Sequence, residues 1–114
     1  MHAPIALLVS DHAVLSSLQF ALSVEGFALA AAGGDLAAAG AVVIDQGYRG
    51  DGLAALVALR SRGNAVPAIL LATNPTPSYR ARAADAGAVV IEKPLLGDEL
   101  SSAISHVIEP RKAA

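Results

Sequence analysis

Five short apolar runs, each followed by a helix-forming or turn-forming stretch, constrain what this chain can become: Ile5–Val9, Phe27–Ala31, Ala41–Ile44, Ala68–Ala72 and Val89–Ile91. None alternates apolar with polar residues, as a strand with one wet face would, so each suits a strand buried on both faces. Between them lies helical spacing. Val14, Leu15, Leu18, Ala21 and Leu22 form one stripe over Val14–Glu25, which stops at Gly26. Leu53, Leu56, Val57 and Leu59 do the same over Leu53–Arg62, before Gly63. A further helix is expected over Ser78–Ala86, ending at Gly87, and a last one over Asp98–Ile108, with Leu100, Ile104, Val107 and Ile108 inward and Pro110 beyond. Only Gly34 to Gly40 joins the second run to the third. A crossover with its helix needs about 10–12 residues, so the second helix shrinks to a turn or two near Asp35–Ala39. Strand alternating with helix predicts an α/β fold, a doubly wound five-stranded parallel sheet with helices on both faces. Such sheets hold ligands outside the carboxyl ends of their strands.

Composition narrows the function. The chain has 114 residues, one domain's worth, and residues 1–114 are read as a single domain. Apolar residues make up 54% and charged residues 16%, which excludes a disordered polyelectrolyte. With two Phe, two Tyr and no Trp, a base-stacking surface is not expected. The net charge is −2 and the only lysines are Lys93 and Lys112, so no basic stripe exists to bind nucleic acid directly. The absence of cysteine removes disulfides, thiolate metal sites and thiol nucleophiles. The start, Met1-His2-Ala3-Pro4, lacks the basic residues of a signal peptide, and Ile5–Val9 is too short to span a membrane. A cytoplasmic protein with no membrane partner is the expectation.

The residues that close the strands carry the chemistry. Ser10-Asp11 follows the first run and Asp45 the third. Two carboxylates brought together at one edge repel, which favours a divalent cation between them, and Mg²⁺ suits an oxygen-rich site completed by phosphate. Either aspartate alone reads equally well as a helix cap. Thr73 and Asn74 follow the fourth run, and Thr73 alone reads as a turn residue. Lys93 follows the fifth, directly before Pro94, which keeps it out of a helix and sends its ammonium along the carboxyl edge. The competing reading is a solvated surface lysine. Together, two carboxylates, a hydroxyl and an ammonium are the groups that phosphoryl transfer uses. His2, His12 and His106 lie apart, without ligand spacing, and Gly33-Gly34 lacks a phosphate-loop pattern. Arg80 and Arg82 read as solvated helix residues.

Over nearly its full length the sequence resembles the receiver domains of two-component response regulators. The stretches Leu18-Gln-Phe-Ala-Leu-Ser-Val-Glu-Gly-Phe27 and Ala86-Gly-Ala…Glu92-Lys-Pro94 are similar to the FixJ-like branch. The resemblance implies a CheY-like, flavodoxin-like sheet of order 2-1-3-4-5. It implies Asp45 as phosphoacceptor, Asp11 as a direct Mg²⁺ ligand beside Asp45, the Gly47 backbone carbonyl as a third protein ligand, Thr73 as the switch hydroxyl and Lys93 as the family's lysine. The chain departs from the pattern at several points. Ser10 stands where the first carboxylate of an acidic pair is usual, so Mg²⁺ binding should be weak. The loop Gln46–Gly52 lacks Met-Pro and is one residue short. Asn74 replaces a small residue, and Val90 replaces a switch aromatic.

The function so implied is that of a stand-alone receiver rather than an enzyme. It would take a phosphoryl group from a sensor histidine kinase or phosphotransfer protein and act by protein–protein contact or phosphorelay. The resemblance also allows a homodimer through the face made by the fourth helix, fifth strand and fifth helix. The competing reading is a pseudo-receiver that binds partners without phosphorylation. A phosphatase using Asp45 covalently would need a second carboxylate where Gly47 stands.

Overall fold

Ala41, Val42, Val43 and Ile44 are all completely buried, because the strand they form, β2 (Ala41–Asp45), is covered on both faces and paired on both edges. The computed structural model describes residues 4–30, 36–93 and 99–108, without the side chains of 37, 99, 101, 107 and 108. Within them β2 lies between β1 (Ile5–Leu8) and β3 (Ala68–Ala72), and β4 (Ala88–Glu92) pairs beyond β3. All pairings are parallel, with Leu8 opposite Ile44, Asp45 opposite Leu71, and Ala72 opposite Glu92. This register brings the carboxyl ends of the strands to one edge.

Strand side chains alternate between two cores. Ile5, Val43, Ile69 and Leu71 pack with Leu18 and Leu22 of α1 (His12–Val24) and with Leu100 and Ile104 of α4 (Glu99–Ile108). Ala6, Val42, Ile44 and Leu70 face the other way. They meet Leu53, Leu56 and Leu59 of α2 (Gly52–Ser61) and Ala83 of α3 (Pro77–Asp85). The apolar stripe of α1 is narrower than its spacing predicts, since Ala21 is exposed, as is Val57 on α2. At the amino edge Arg60 ties α2 to the entries of β3 and β4. Its guanidinium donates to the carbonyls of Val66 and Ala86, each at 2.7 Å, and to that of Asn64 at 3.0 Å.

The expected second strand, Phe27–Ala31, differs. Among the described residues it is a single parallel bridge from Leu29 to Ile5, on the edge of β1 that β2 does not use. Ile5 N donates to Ala28 O at 2.8 Å, and Ala30 N donates to Ile5 O at 2.9 Å. The run passes into alanine and glycine, which are poor strand formers, and Ala31, Gly33, Gly34 and Asp35 lie outside the described residues. The four named strands follow the order β1-β2-β3-β4. The compressed crossover holds a 3₁₀ turn at Leu36–Ala38 in place of the short second helix. His2, Pro94, Asp98 and Pro110, and the side chains of Val107 and Ile108, also fall outside the described residues. Among the described residues no helix is long and apolar enough to cross a membrane.

Candidate functional site at the carboxyl edge of the sheet

Asp45 is the last residue of β2, and its side chain is only 17% exposed. Lys93 follows β4, its backbone N donating to Ala72 O at 2.9 Å, so the strand pairing continues to the lysine itself. Its ammonium reaches across β3 and donates to Asp45 Oδ1 at 2.7 Å. The other carboxylate oxygen, Oδ2, accepts from Gly47 N at 2.9 Å. The proposed acceptor is therefore held at both oxygens, by an ammonium and by a backbone amide.

The loop after Asp45 is braced from three sides. Gln46 N donates to Leu71 O at 2.8 Å, and Gln46 Oε1 accepts from Thr73 N. Gly47 O accepts from Gly50 N at 3.0 Å, so the carbonyl expected to face a metal also closes a turn. That turn, Tyr48–Gly50, puts Arg49 at φ 51°, an uncommon left-handed conformation for a residue with a Cβ. Arg49 N donates to Ser10 Oγ at 3.2 Å, which binds the end of β1 to the loop. The Arg49 guanidinium stands 5.4 Å from the centre of the Tyr48 ring.

Gly52, the first residue of α2, has a reason that helix propensity does not supply. A Cβ there would lie 2.1 Å from the Asp45 carbonyl oxygen. Only glycine lets the start of α2, capped by Asp51 Oδ1 on Ala54 N at 3.1 Å, settle against the end of β2.

Asp11 sits at the same edge as the N-cap of α1, its Oδ1 accepting from Ala13 N at 2.9 Å and Val14 N at 3.1 Å. It is exposed, as are Ser10, His12 and Thr73. The cap role does not exclude a metal, since a carboxylate has several lone pairs. No group of three or more acidic, histidine or cysteine side chains gathers among the described residues. The oxygens at this edge that would be available to a divalent ion are those of Asp11, Asp45 and the Gly47 carbonyl, two carboxylates and one neutral oxygen. Such a set fits an ion that keeps several waters and is held weakly.

Sequence reasoning missed Gln46, Gly52 and Tyr79. Gln46 had position as its only signal, directly after the acceptor. A glycine at the first turn of a helix, where propensity disfavours it, is a readable sign of close approach. Tyr79, on α3, has a buried hydroxyl with no hydrogen-bond partner among the described residues. Burial first, then the negative charges of Asp51 and Asp45, raise its pKa, while Arg82 pulls it down. A cavity of about 680 Å³ is lined by Leu7, Leu15, Leu29, Ala58, Arg49 and Asp51 among others, and Asp11, Asp45 and Lys93 do not line it.

Comparison with solved structures agrees with this fold. The chain matches the response regulator receiver domain protein (CheY-like) of Methanospirillum hungatei JF-1 with a TM-score of 0.83 and 20% identity, over 99% of this chain and 98% of that one. FixJ-N matches with a TM-score of 0.80 and 25% identity, over 96% and 95%. NtrX of Brucella abortus matches with a TM-score of 0.81 and 26% identity, over 99% of this chain and 29% of NtrX. No protein-family model matches the sequence, and no curated protein matches it. Carried by these likenesses and by a two-sided parallel α/β sheet with Asp45 and Lys93 joined at its carboxyl edge, the conclusion is that this chain has the fold of a response-regulator receiver domain.

Proposed function

We propose that residues 1–114 form one receiver domain that accepts a phosphoryl group on Asp45 from a sensor histidine kinase or phosphotransfer protein. The observation that carries this is the Lys93 ammonium 2.7 Å from a largely buried strand-end carboxylate. In the transfer, an Asp45 oxygen forms a bond to phosphorus as the phosphorus–nitrogen bond of a phosphohistidine breaks. The imidazole leaves with the electron pair, and the product is an acyl phosphate. Gly47 N–H holds the carboxylate in place, and the Lys93 ammonium, bonded to Asp45 at rest, would pass to the phosphoryl oxygens. Asp11, Asp45 and the Gly47 carbonyl would hold Mg²⁺, which offsets the repulsion between carboxylate and phosphate. Thr73 supplies a hydroxyl at the same edge. The wider reading is a sheet of order 2-1-3-4-5 with the Leu29 bridge as its outer strand, a cytoplasmic location, and signalling by protein contact or phosphorelay. Docking or a homodimer would use the face of α3, β4 and α4.

Incubating the protein and Asp45→Asn with acetyl phosphate and Mg²⁺, then measuring intact mass, tests this. One phosphoryl group on the parent chain and none on the variant is the expected result. Equal uptake by both would remove Asp45 from its role. A second reading, binding without phosphorylation, is favoured by Asp11 serving as a cap and Ser10 serving as a loop tether. It predicts no uptake by either chain, from acetyl phosphate or from a cognate kinase.

A further inference from the structure

Tyr79 and Arg80 are neighbours on α3, and Arg80 is linked to Asp45 through the end of β4. Arg80 pairs with Glu92 of β4, 2.7 Å from Nη2 to Oε1. Glu92 is followed by Lys93, which is bonded to Asp45. Tyr79 belongs to the buried cluster under α2 and α3, with Ile44, Tyr48, Ala83 and Val90 in the same cluster. Its backbone is pinned in the first turn of α3, where Tyr79 N donates to the capping Thr76 Oγ1 at 3.0 Å. Its hydroxyl is enclosed and has no acceptor among the described residues. A phenylalanine would fill the same space without a donor that has no partner among the described residues. The carboxylates whose field reaches it are Asp51 and Asp45.

We infer that the Tyr79 hydroxyl is a positioning group, through which added negative charge at Asp45 draws the first turn of α3 toward the carboxyl edge. The inference rests on Asp45 as the phosphoacceptor. A phosphoryl group brings further negative charge and three strong acceptor oxygens to that edge. A donor that goes unsatisfied at rest gains by moving toward them, directly or through water. Val90, aliphatic and half-buried in the same cluster, presents no polar group to compete for it. The readout is the Arg80–Glu92 pair, whose side chains are 46% and 54% exposed. An ion pair so exposed is weak and easily rearranged. Movement of α3 and release of Lys93 from Asp45 act on its two ends.

The experiment uses the whole chain, beryllofluoride with Mg²⁺ as the phosphoryl mimic, and amide chemical shifts. Acetyl phosphate uptake is measured in parallel. For the parent chain and for Tyr48→Phe, the amides of Gly47, Lys93, Arg80 and Ala83 should all shift. For Tyr79→Phe, uptake should be unchanged and Gly47 and Lys93 should still shift, while the Arg80 and Ala83 shifts are lost. Full shifts at Arg80 and Ala83 in Tyr79→Phe would overturn the inference and leave the proposed function standing. Loss of uptake in Tyr79→Phe would overturn it too, by placing Tyr79 in the chemistry instead. No uptake and no shift in any chain would overturn the proposed function and this inference with it.

Discussion

Asp11 combines a cap and a charge, and two substitutions separate them. Asparagine caps a helix as well as aspartate does, whereas alanine does not. Asp11→Ala should therefore lose about 0.5–2 kcal/mol of stability without metal, while Asp11→Asn should lose little. Both should weaken Mg²⁺ binding, read as the Mg²⁺ dependence of thermal unfolding. Unchanged dependence in Asp11→Asn would take Asp11 out of the metal site. Ser10 works in the opposite sense. Its Oγ accepts from Arg49 N, a bond that a carboxylate can also accept while keeping a second oxygen free. Ser10→Asp should tighten Mg²⁺ by about 10–100-fold, the size of effect seen for groups that act on a metal through water or a ligand. It should lower metal-free stability slightly through repulsion with Asp11 and Asp45. Tyr79 supplies a pH prediction. Its folded pKa is raised, by burial and then by Asp51 and Asp45, with Arg82 opposing. The unfolded phenol thus loses its proton first as pH climbs past about 10. Stability is therefore unaffected by this group's titration below that pH and falls as pH rises from there toward the folded pKa. In urea unfolding, Tyr79→Phe should lack this part of the alkaline decline. At neutral pH it should be as stable as the parent or more so, by up to about 1–3 kcal/mol, the cost of an unsatisfied buried group. A loss of stability in Tyr79→Phe would show that the hydroxyl has a partner.

The placement of α2 turns on one missing side chain. Gly52→Ala would set a Cβ 2.1 Å from the Asp45 carbonyl oxygen, which the backbone can relieve only by moving the helix or the strand end. Overpacking of this kind costs about 1–3 kcal/mol. Denaturant unfolding should show that loss, and phosphoryl uptake should slow because the displaced end of β2 carries Asp45. A stable variant with normal uptake would contradict the close approach. The same helix shows what the sequence could and could not convey. The apolar spacing of Leu53, Leu56 and Leu59 was enough to place it, because burial on one face repeats with the helical period. The start at Gly52 depends on a contact with β2, which spacing does not encode. Asp45 and Lys93 were legible because both end or follow uninterrupted apolar runs, and parallel pairing brings such ends together. The tether from Ser10 to Arg49 crosses 39 positions through a backbone amide, which no side-chain pattern reveals. The run Phe27–Ala31 is apolar enough to read as a strand, yet alanine gives it little to pack, and among the described residues Leu29 alone bridges to β1.

For the molecule as a whole, the division of labour runs from one edge of the sheet to the other. The amino edge is locked by Arg60, whose partly buried guanidinium has its pKa lowered by desolvation and serves three carbonyls. The carboxyl edge is held by bonds that are mostly exposed: Asp45 with Lys93 and Gly47, Gln46 with Thr73, Ser10 with Arg49. A buried two-sided core with an edge held by exposed polar bonds suits the proposed role, in which one carboxylate is modified and its neighbours rearrange. Asp45 is the carboxylate proposed to be modified, and the chemistry of an acyl phosphate allows a direct test. After treatment with acetyl phosphate and Mg²⁺, borohydride reduces an aspartyl phosphate to homoserine and releases phosphate. Peptide mass mapping should then find homoserine at position 45 and at no other aspartate. Homoserine at another position, or phosphate uptake that leaves no homoserine, would contradict the account.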